Sequence, residues 1–336
     1  RTGLLDFFNT SIGCFHTLFM VEGSMHVRLG YSCFIAAGLR EVVDLPVFVS
    51  GRINDPIQAE RILASGYADM TGMARAQICD PIFAIKAQEG RLDDIRRCIA
   101  DNQYCAGRVG LNRSLACVQN PAAGREQSLG AGKLHAPSVR KKVLVVGGGP
   151  AGLKAAEIAA KRGHRVILYE KDSKLGGQVE LLAEAAGRSE FADLVRNLTN
   201  QIEQLPIEVK TDVEVTPELV AKEKPDAVVV ASGSRPAVPP IPGSDQDNVT
   251  EVWSVLRGEA DVGQRVVVVD QVGSHRATSV AELLADQGKD VQILTPQLYV
   301  GQNLGPTMDW ELWSERALSK GIVLTPSVVV MQISGP

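Results

Sequence analysis

The segment KKVLVVGGGPAGLKAAEIAAKRGHRVILYEKDSKLGGQ, residues 141–178, constrains this chain more than any other. An apolar, β-branched run from Val143 to Val146 meets Gly147-x-Gly149-x-x-Gly152, and Ala156 and Gly163 extend the small-residue spacing along a predicted helix. A second apolar run, RVILY, leads to Glu170, 18 residues after Gly152. The first glycine permits a tight strand-to-helix turn, and the second lets backbone amides approach a pyrophosphate. The third lets the helix pack close to the strand, and the acid suits adenosine ribose hydroxyls. GxGxxG alone is a weak signal. With strand, helix and acid in register, it predicts a Rossmann-like domain over residues 141–255 that binds an adenine dinucleotide or ADP. In the same domain, PDAVVVASGSRPAVPPIPG predicts a buried strand running into Ser232-Gly233, a turn small enough for a cofactor to lie close.

Residues 256–336 predict a second, truncated unit of the same kind, since RVVVVDQVGSHRATSVAELLADQGKDVQILTPQ repeats the strand–turn–helix–strand plan. Matching Ala156 with Ala281 and Gly163 with Gly288 puts Asp270 at the first glycine position, Ala277 at the third and Thr295 where Glu170 stands. A carboxylate at the turn repels pyrophosphate, and threonine cannot pair both ribose hydroxyls. The second unit is expected to keep the fold without the fingerprint.

Residues 1–97 alternate strand and helix, which implies a parallel sheet. DFFNTSIG (6–13), LPVFVSGRI (45–53) and YADMTG read as strands; YSCFIAAGLREVV and DPIQAERILASG read as helices, the latter opened by Asp55-Pro56 and closed by Gly66. Two successive strands end in glycine and offer an arginine: Gly51-Arg52, then Gly72 with Arg75. In a (β/α)8 barrel, phosphate binds at the loops after the last two strands, where glycine exposes amides and arginine adds charge. The alternative is that both arginines are solvated loop residues. A barrel needs about 250 residues and eight strands. The expectation is therefore a chain that starts inside a barrel, with five strands preceding Arg1 in a longer parent.

Between these regions, CIADNQYCAGRVGLNRSLACVQNP (98–121) holds three of six cysteines, Cys98, Cys105 and Cys117. An iron–sulfur cluster takes four ligands. Cys14, Cys33 and Cys79 lie in apolar sequence and are expected to be buried core thiols. The chain starts without a signal-peptide pattern, so clustered thiols suggest metal or redox chemistry in a reducing compartment, and the expected location is cytoplasmic. The composition is 45% hydrophobic and 22% charged with a net charge of −4. No basic block suggests nucleic acid, and no run approaches the roughly 20 apolar residues of a membrane span.

The ordered series GRINDPIQAERILASGYADMTGMARAQICDP, CVQNPAAGRE and VLVVGGGPAGLKAAE…LGGQ resembles the iron–sulfur flavoproteins of the Old Yellow Enzyme group, including 2,4-dienoyl-CoA reductase and trimethylamine dehydrogenase. The resemblance implies an α/β architecture: the C-terminal part of a (β/α)8 FMN barrel (1–97), an iron–sulfur segment and linker (98–140), then Rossmann-like nucleotide-binding domains. It implies that Gly51, Arg52, Gly72 and Arg75 hold the FMN phosphate. It likewise implies that Gly147, Gly149, Gly152, Glu170, Gly177 and Gln178 bind FAD, or ADP in its place. The family's cluster pattern, C-x2-C-x3-C-x11-C, appears as Cys98-x2-Asp101-x3-Cys105-x11-Cys117. Asp101 thus falls at the second ligand of a [4Fe–4S] cluster; a three-ligand cluster and a lost cluster are the alternatives. His16 is the family's candidate catalytic acid, against a hydrogen-bonded loop histidine. Binding of NAD(P)H is left open by the altered second unit.

These readings imply an FMN- and iron–sulfur-dependent oxidoreductase acting on a small organic substrate. The altered second unit tilts the direction toward an amine dehydrogenase or demethylase that passes electrons to a protein acceptor, self-association being a further candidate. An NAD(P)H-dependent enoate or dienoyl-CoA reductase is the alternative, and a non-catalytic nucleotide-binding fragment is a second one.

Overall fold

A computed structural model describes residues 3–335. The chain divides into two compact units, one made of residues 3–125 with Gly301–Lys320, the other of Glu126–Val300 with residues 321–335.

The first unit contains three parallel strands, β1 (Phe8–Thr10), β2 (Val47–Ser50) and β3 (Met70–Gly72), in that order across the sheet. Central β2 buries Val47 and Val49 completely on the face covered by the helices Cys33–Arg40 and Pro56–Ala64, where Ala36, Ala59 and Ile62 complete the core. The second helix begins where the sequence signals it. Asp55 accepts hydrogen bonds from the Ile57 and Gln58 amides at 2.7 and 3.3 Å, Pro56 occupies the first turn, and Gly66 follows the helix at φ +69°. After β3 comes the short helix Ala74–Cys79.

Gly301–Lys320 was expected in the second nucleotide-binding unit and instead packs with the first. Trp313 and Leu304 are buried, and Asn102 donates to the Thr307 carbonyl at 3.2 Å. Gly107 lies so close to the Pro306 carbonyl that a Cβ there would sit 2.9 Å from its oxygen.

The second unit holds two parallel sheets. β4 (Lys142–Val146), β5 (Arg165–Tyr169), β6 (Ile207–Lys210) and β7 (Ala227–Val230) form one, in the order β6-β5-β4-β7. β8 (Arg265–Val269), β9 (Asp290–Leu294) and β10 (Val323–Thr325) form the other, in the order β10-β9-β8. The buried strand expected at PDAVVVASG needs correction. β7 is an edge strand whose Val228 and Val230 are exposed, because the sheet ends there. Among the described residues no helix is long and apolar enough to cross a membrane.

Candidate functional sites

Parallel strands bring their C-terminal ends to one side, so the loops after β2 and β3 meet. Gly51, Arg52, Gly72 and Arg75 line one cavity of about 380 Å³, together with Tyr31, Ser50 and Cys98. Gly51 stands at φ +135°, and a Cβ there would collide with the Ser32 hydroxyl. Arg52 follows at φ +49°, a left-handed conformation that is costly for a residue with a Cβ. Its guanidinium is buried and donates to the Met25 carbonyl at 3.4 Å and to that of Val27, which ties down the loop ahead of the cavity. Arg75 donates to the Gly23 carbonyl at 2.8 Å and Asn102 Oδ1 at 2.7 Å, with its Nε 3.7 Å from the Glu22 carboxylate. Both arginines line the cavity and both fasten backbone carbonyls; they differ in burial, Arg52 being the more buried and Arg75 lying near the Glu22 carboxylate. His16 does not join them; it is exposed on the 3-10 turn Phe15–Thr17 and lies outside the cavity lining.

A second, smaller cavity in the same unit is lined by Cys98, Asp101, Cys105 and Cys117, the residues singled out in the sequence, and by Cys79, which was not. Cys79 was expected to be a plain core thiol. It is buried, but its S–H faces the Cys117 sulfur and the Arg97 carbonyl, the latter at 3.7 Å. Of the other two, Cys33 is half-buried against the core of its unit, whereas Cys14 is exposed at the start of the Phe15–Thr17 turn, contrary to expectation. The hydrogen bond from Cys79 brings the Cys117 thiol down to about 7, while burial pushes the Cys98 thiol up to about 12. Asp101 is buried between two residues of positive φ, Ala100 and Asn102, and its carboxylate accepts from the Gln103 amide at 3.3 Å.

The donor set itself tests what this cavity suits. Tetrahedral zinc, with Zn–S bonds of about 2.3 Å, needs thiolates about 4 Å apart. Among the described residues, no three of these sulfur and carboxylate ligand atoms lie within 4.8 Å of one another. A wider set of soft thiolates suits a polynuclear iron–sulfur group.

In the second unit, Gly147, Gly149 and Gly152 each meet a different steric demand. Gly147 has φ +105° and its Cβ would strike the Ala231 carbonyl; that of Gly152 would strike the Gly147 carbonyl. Gly149 caps the helix Pro150–Lys161, and a Cβ built on it meets nothing within 4 Å, leaving an open approach to the helix N-terminus. Glu170 lies beside this turn, accepting from the Gly148 amide at 2.6 Å and the Asp172 amide at 2.9 Å. The Gly176 amide donates to the Gly148 carbonyl at 2.9 Å, and a Cβ on Gly177 would stand 3.2 Å from Gly149 Cα. Gln178 reaches across to the Ser234 carbonyl at 2.9 Å. Three loops far apart in sequence thus converge at the fingerprint.

The β8 unit reproduces this frame bond for bond. The Gly147 amide donates to Tyr169 O at 2.8 Å, and the Asp270 amide donates to Leu294 O at 2.8 Å. The Glu170 amide donates to Lys210 O, the Thr295 amide to Thr325 O. The residue pairing read from the sequence is therefore the structural one. The chemistry has changed, because buried Asp270 accepts the Val272 and Gly273 amides at 3.0 and 2.9 Å. These turn amides are satisfied by a carboxylate of the chain itself.

The model of the pyridine nucleotide-disulphide oxidoreductase family matches residues 141–335, and that of the NADH:flavin oxidoreductase / NADH oxidase family matches residues 16–94. The chain is 35% identical over 343 positions to the N,N-dimethylglycine/sarcosine dehydrogenase of Chromohalobacter salexigens, covering 99% of the chain and 49% of that protein. It is 39% identical over 291 residues to the NADH oxidase of Thermoanaerobacter brockii, covering 85% and 44%. The solved histamine dehydrogenase from Rhizobium sp. 4-9 superposes with a TM-score of 0.91 at 28% identity, over 98% of this chain and 50% of that one. The chain spans about half the length of the curated relatives it matches. The two family models, matched in this order on either side of the cysteine loop, together with these relatives, show that the chain belongs to the flavoprotein oxidoreductases of the Old Yellow Enzyme and trimethylamine dehydrogenase-like group.

Proposed function

We propose that this chain belongs to a cytoplasmic enzyme that oxidises a small N-alkylated amine, with electrons leaving through an iron–sulfur cluster to a protein acceptor. Bound FMN would supply the hydride-accepting chemistry, and the chain's residues would bind, orient and shield it. Gly51 and Gly72 keep side chains away from the phosphate, and Arg75 supplies its countercharge. Arg52 holds the Met25–Val27 backbone behind the cavity. Cys98, Cys105 and Cys117 supply three thiolates for the cluster, and the fourth position has two candidates on the cavity wall, Asp101 and Cys79. Gly147, Gly149, Gly152, Glu170, Gly177 and Gln178 hold FAD or ADP. His16, exposed on its turn, is the candidate acid with the least support.

The observation that carries the amine reading is Asp270. Its carboxylate occupies turn amides that a nicotinamide dinucleotide would need for its pyrophosphate. The likeness to the sarcosine and histamine dehydrogenases supports the same direction. The likeness to an NADH oxidase favours a second reading, an NAD(P)H-dependent reductase of enoates or enoyl-CoA esters. The purified protein is expected to show flavin absorption bands with a broad cluster shoulder and to reduce a one-electron dye when given an N-methylated amine. A colourless protein would overturn the flavoenzyme reading. Dye reduction with NADH but with no amine would overturn the direction.

A further inference from the structure

The helix after β3 offers the cysteine cavity a thiol from outside the cysteine loop. We infer that Cys79, the last residue of the helix Ala74–Cys79, is the fourth thiolate ligand of the cluster, and that Asp101 is a carboxylate beside it. This rests on the cluster reading given above. The sequence register favours Asp101 because it considers only the loop 98–117. The cavity wall adds Cys79, so the chain presents four thiols and one carboxylate where four ligands are needed. Between a thiol and a carboxylate, iron–sulfur clusters take the softer donor.

The surroundings of Cys79 hold it in place from both sides. Its S–H approaches the Arg97 carbonyl at 3.7 Å, directly before Cys98, and faces the sulfur of Cys117. The neighbouring Ile78 carbonyl accepts Asn120 Nδ2 at 2.8 Å, three residues beyond Cys117. On the other flank Asp80 accepts the Arg96 amide at 3.0 Å and pairs with Lys86 at 2.7 Å, both groups being buried. Gln119 then closes the ring, its Nε2 donating to Arg97 O at 2.7 Å while its own carbonyl accepts Arg96 at 2.7 Å. The C-terminus of this helix is thus fastened to the arm entering Cys98 and to the arm leaving Cys117. A ligand held this way is placed before the group arrives. Asp101 stands in the loop between residues with φ of 50° and 57°, and its carboxylate accepts the amide two residues on.

Iron and acid-labile sulfide per chain, with electron paramagnetic resonance of the purified protein, separate the candidates. The wild type is expected to hold about four irons. Cys79→Ala should drop to about three or fewer, with the resonance of an oxidised [3Fe–4S] centre, while Asp101→Ala keeps about four. The double variant Cys79→Ala/Asp101→Cys, which returns a thiolate to the loop, should recover the iron. Where Cys79→Ala does not fold, Asp101→Ala decides: full iron leaves Cys79 as the remaining thiol on the wall and supports the assignment. Full iron in Cys79→Ala, or lost iron in Asp101→Ala, overturns it with the cluster reading intact. A wild type without iron overturns the cluster reading and this assignment with it.

Discussion

At the scale of single residues, the two arginines of the barrel segment make separable predictions. Arg75 holds its charge on the wall of the larger cavity, and a charge-assisted contact to phosphate is worth about 1.5–3 kcal/mol. Arg75→Ala should therefore weaken FMN about ten- to a hundredfold in a fluorescence titration; unchanged affinity would exclude a direct contact. Arg52 is engaged with the Met25 and Val27 carbonyls, so Arg52→Ala should show first as a lower unfolding temperature, with a smaller loss of flavin affinity. A stability unchanged from wild type would contradict that division. Gly147→Ala places a Cβ at φ +105° against the Ala231 carbonyl, at a cost of about 1–3 kcal/mol in backbone strain. It should release the second nucleotide while FMN stays, as measured by extraction and chromatography; stoichiometric adenine nucleotide in the variant would show that the turn tolerates it. Residue-scale requirements of this kind were legible in the sequence, because only glycine meets them. The split between Arg52 and Arg75 was not, since both are arginines after a strand and only packing distinguishes them.

Among elements, the comparison of the two nucleotide-binding turns is internal to the chain and so controls for fold. Both turns hang from the same amide-to-strand hydrogen bonds, and both have amides held by a carboxylate of the chain; they differ in where it stands, Glu170 at the end of the next strand for Gly148, Asp270 inside the turn itself for Val272 and Gly273. Replacing Asp270→Gly and Thr295→Glu together should tighten NADH binding at least about tenfold over wild type, since each change restores about 1.5–3 kcal/mol of phosphate or ribose contact. Calorimetry with NADH checks this, and no gain would mean that another feature closes the site. The helix alignment gave these correspondences in advance because Ala281 and Gly288 repeat the small-residue spacing of Ala156 and Gly163. Composition misled on β7, where a valine run reads as buried although the strand lies at a sheet edge with Val228 and Val230 exposed. Cys79 was overlooked for a related reason: it lies 19 residues before Cys98, outside any local cysteine spacing. The signal available was its place on the same short helix as Arg75.

For the whole molecule, the order of barrel segment, cysteine loop and Rossmann units was readable from motif order, but the return of Gly301–Lys320 to the first unit was not. That return depends on contacts such as Asn102 with Thr307, some two hundred residues apart, which no local pattern encodes. The central claim concerns the direction of electron flow: into the flavin from an amine, and out through the cluster. On the proposed reading, the intact fingerprint at Gly147–Gly152 and the self-capped turn at Asp270 point away from a nicotinamide donor. Loss of the ribose carboxylate and repulsion from Asp270 should move NADH affinity from the micromolar toward the millimolar range. Anaerobic stopped-flow mixing of the oxidised enzyme with NADH or with an N-methylated amine tests this most directly. The account predicts rapid flavin bleaching by the amine and slow or absent bleaching at micromolar NADH; rapid bleaching by micromolar NADH would contradict it.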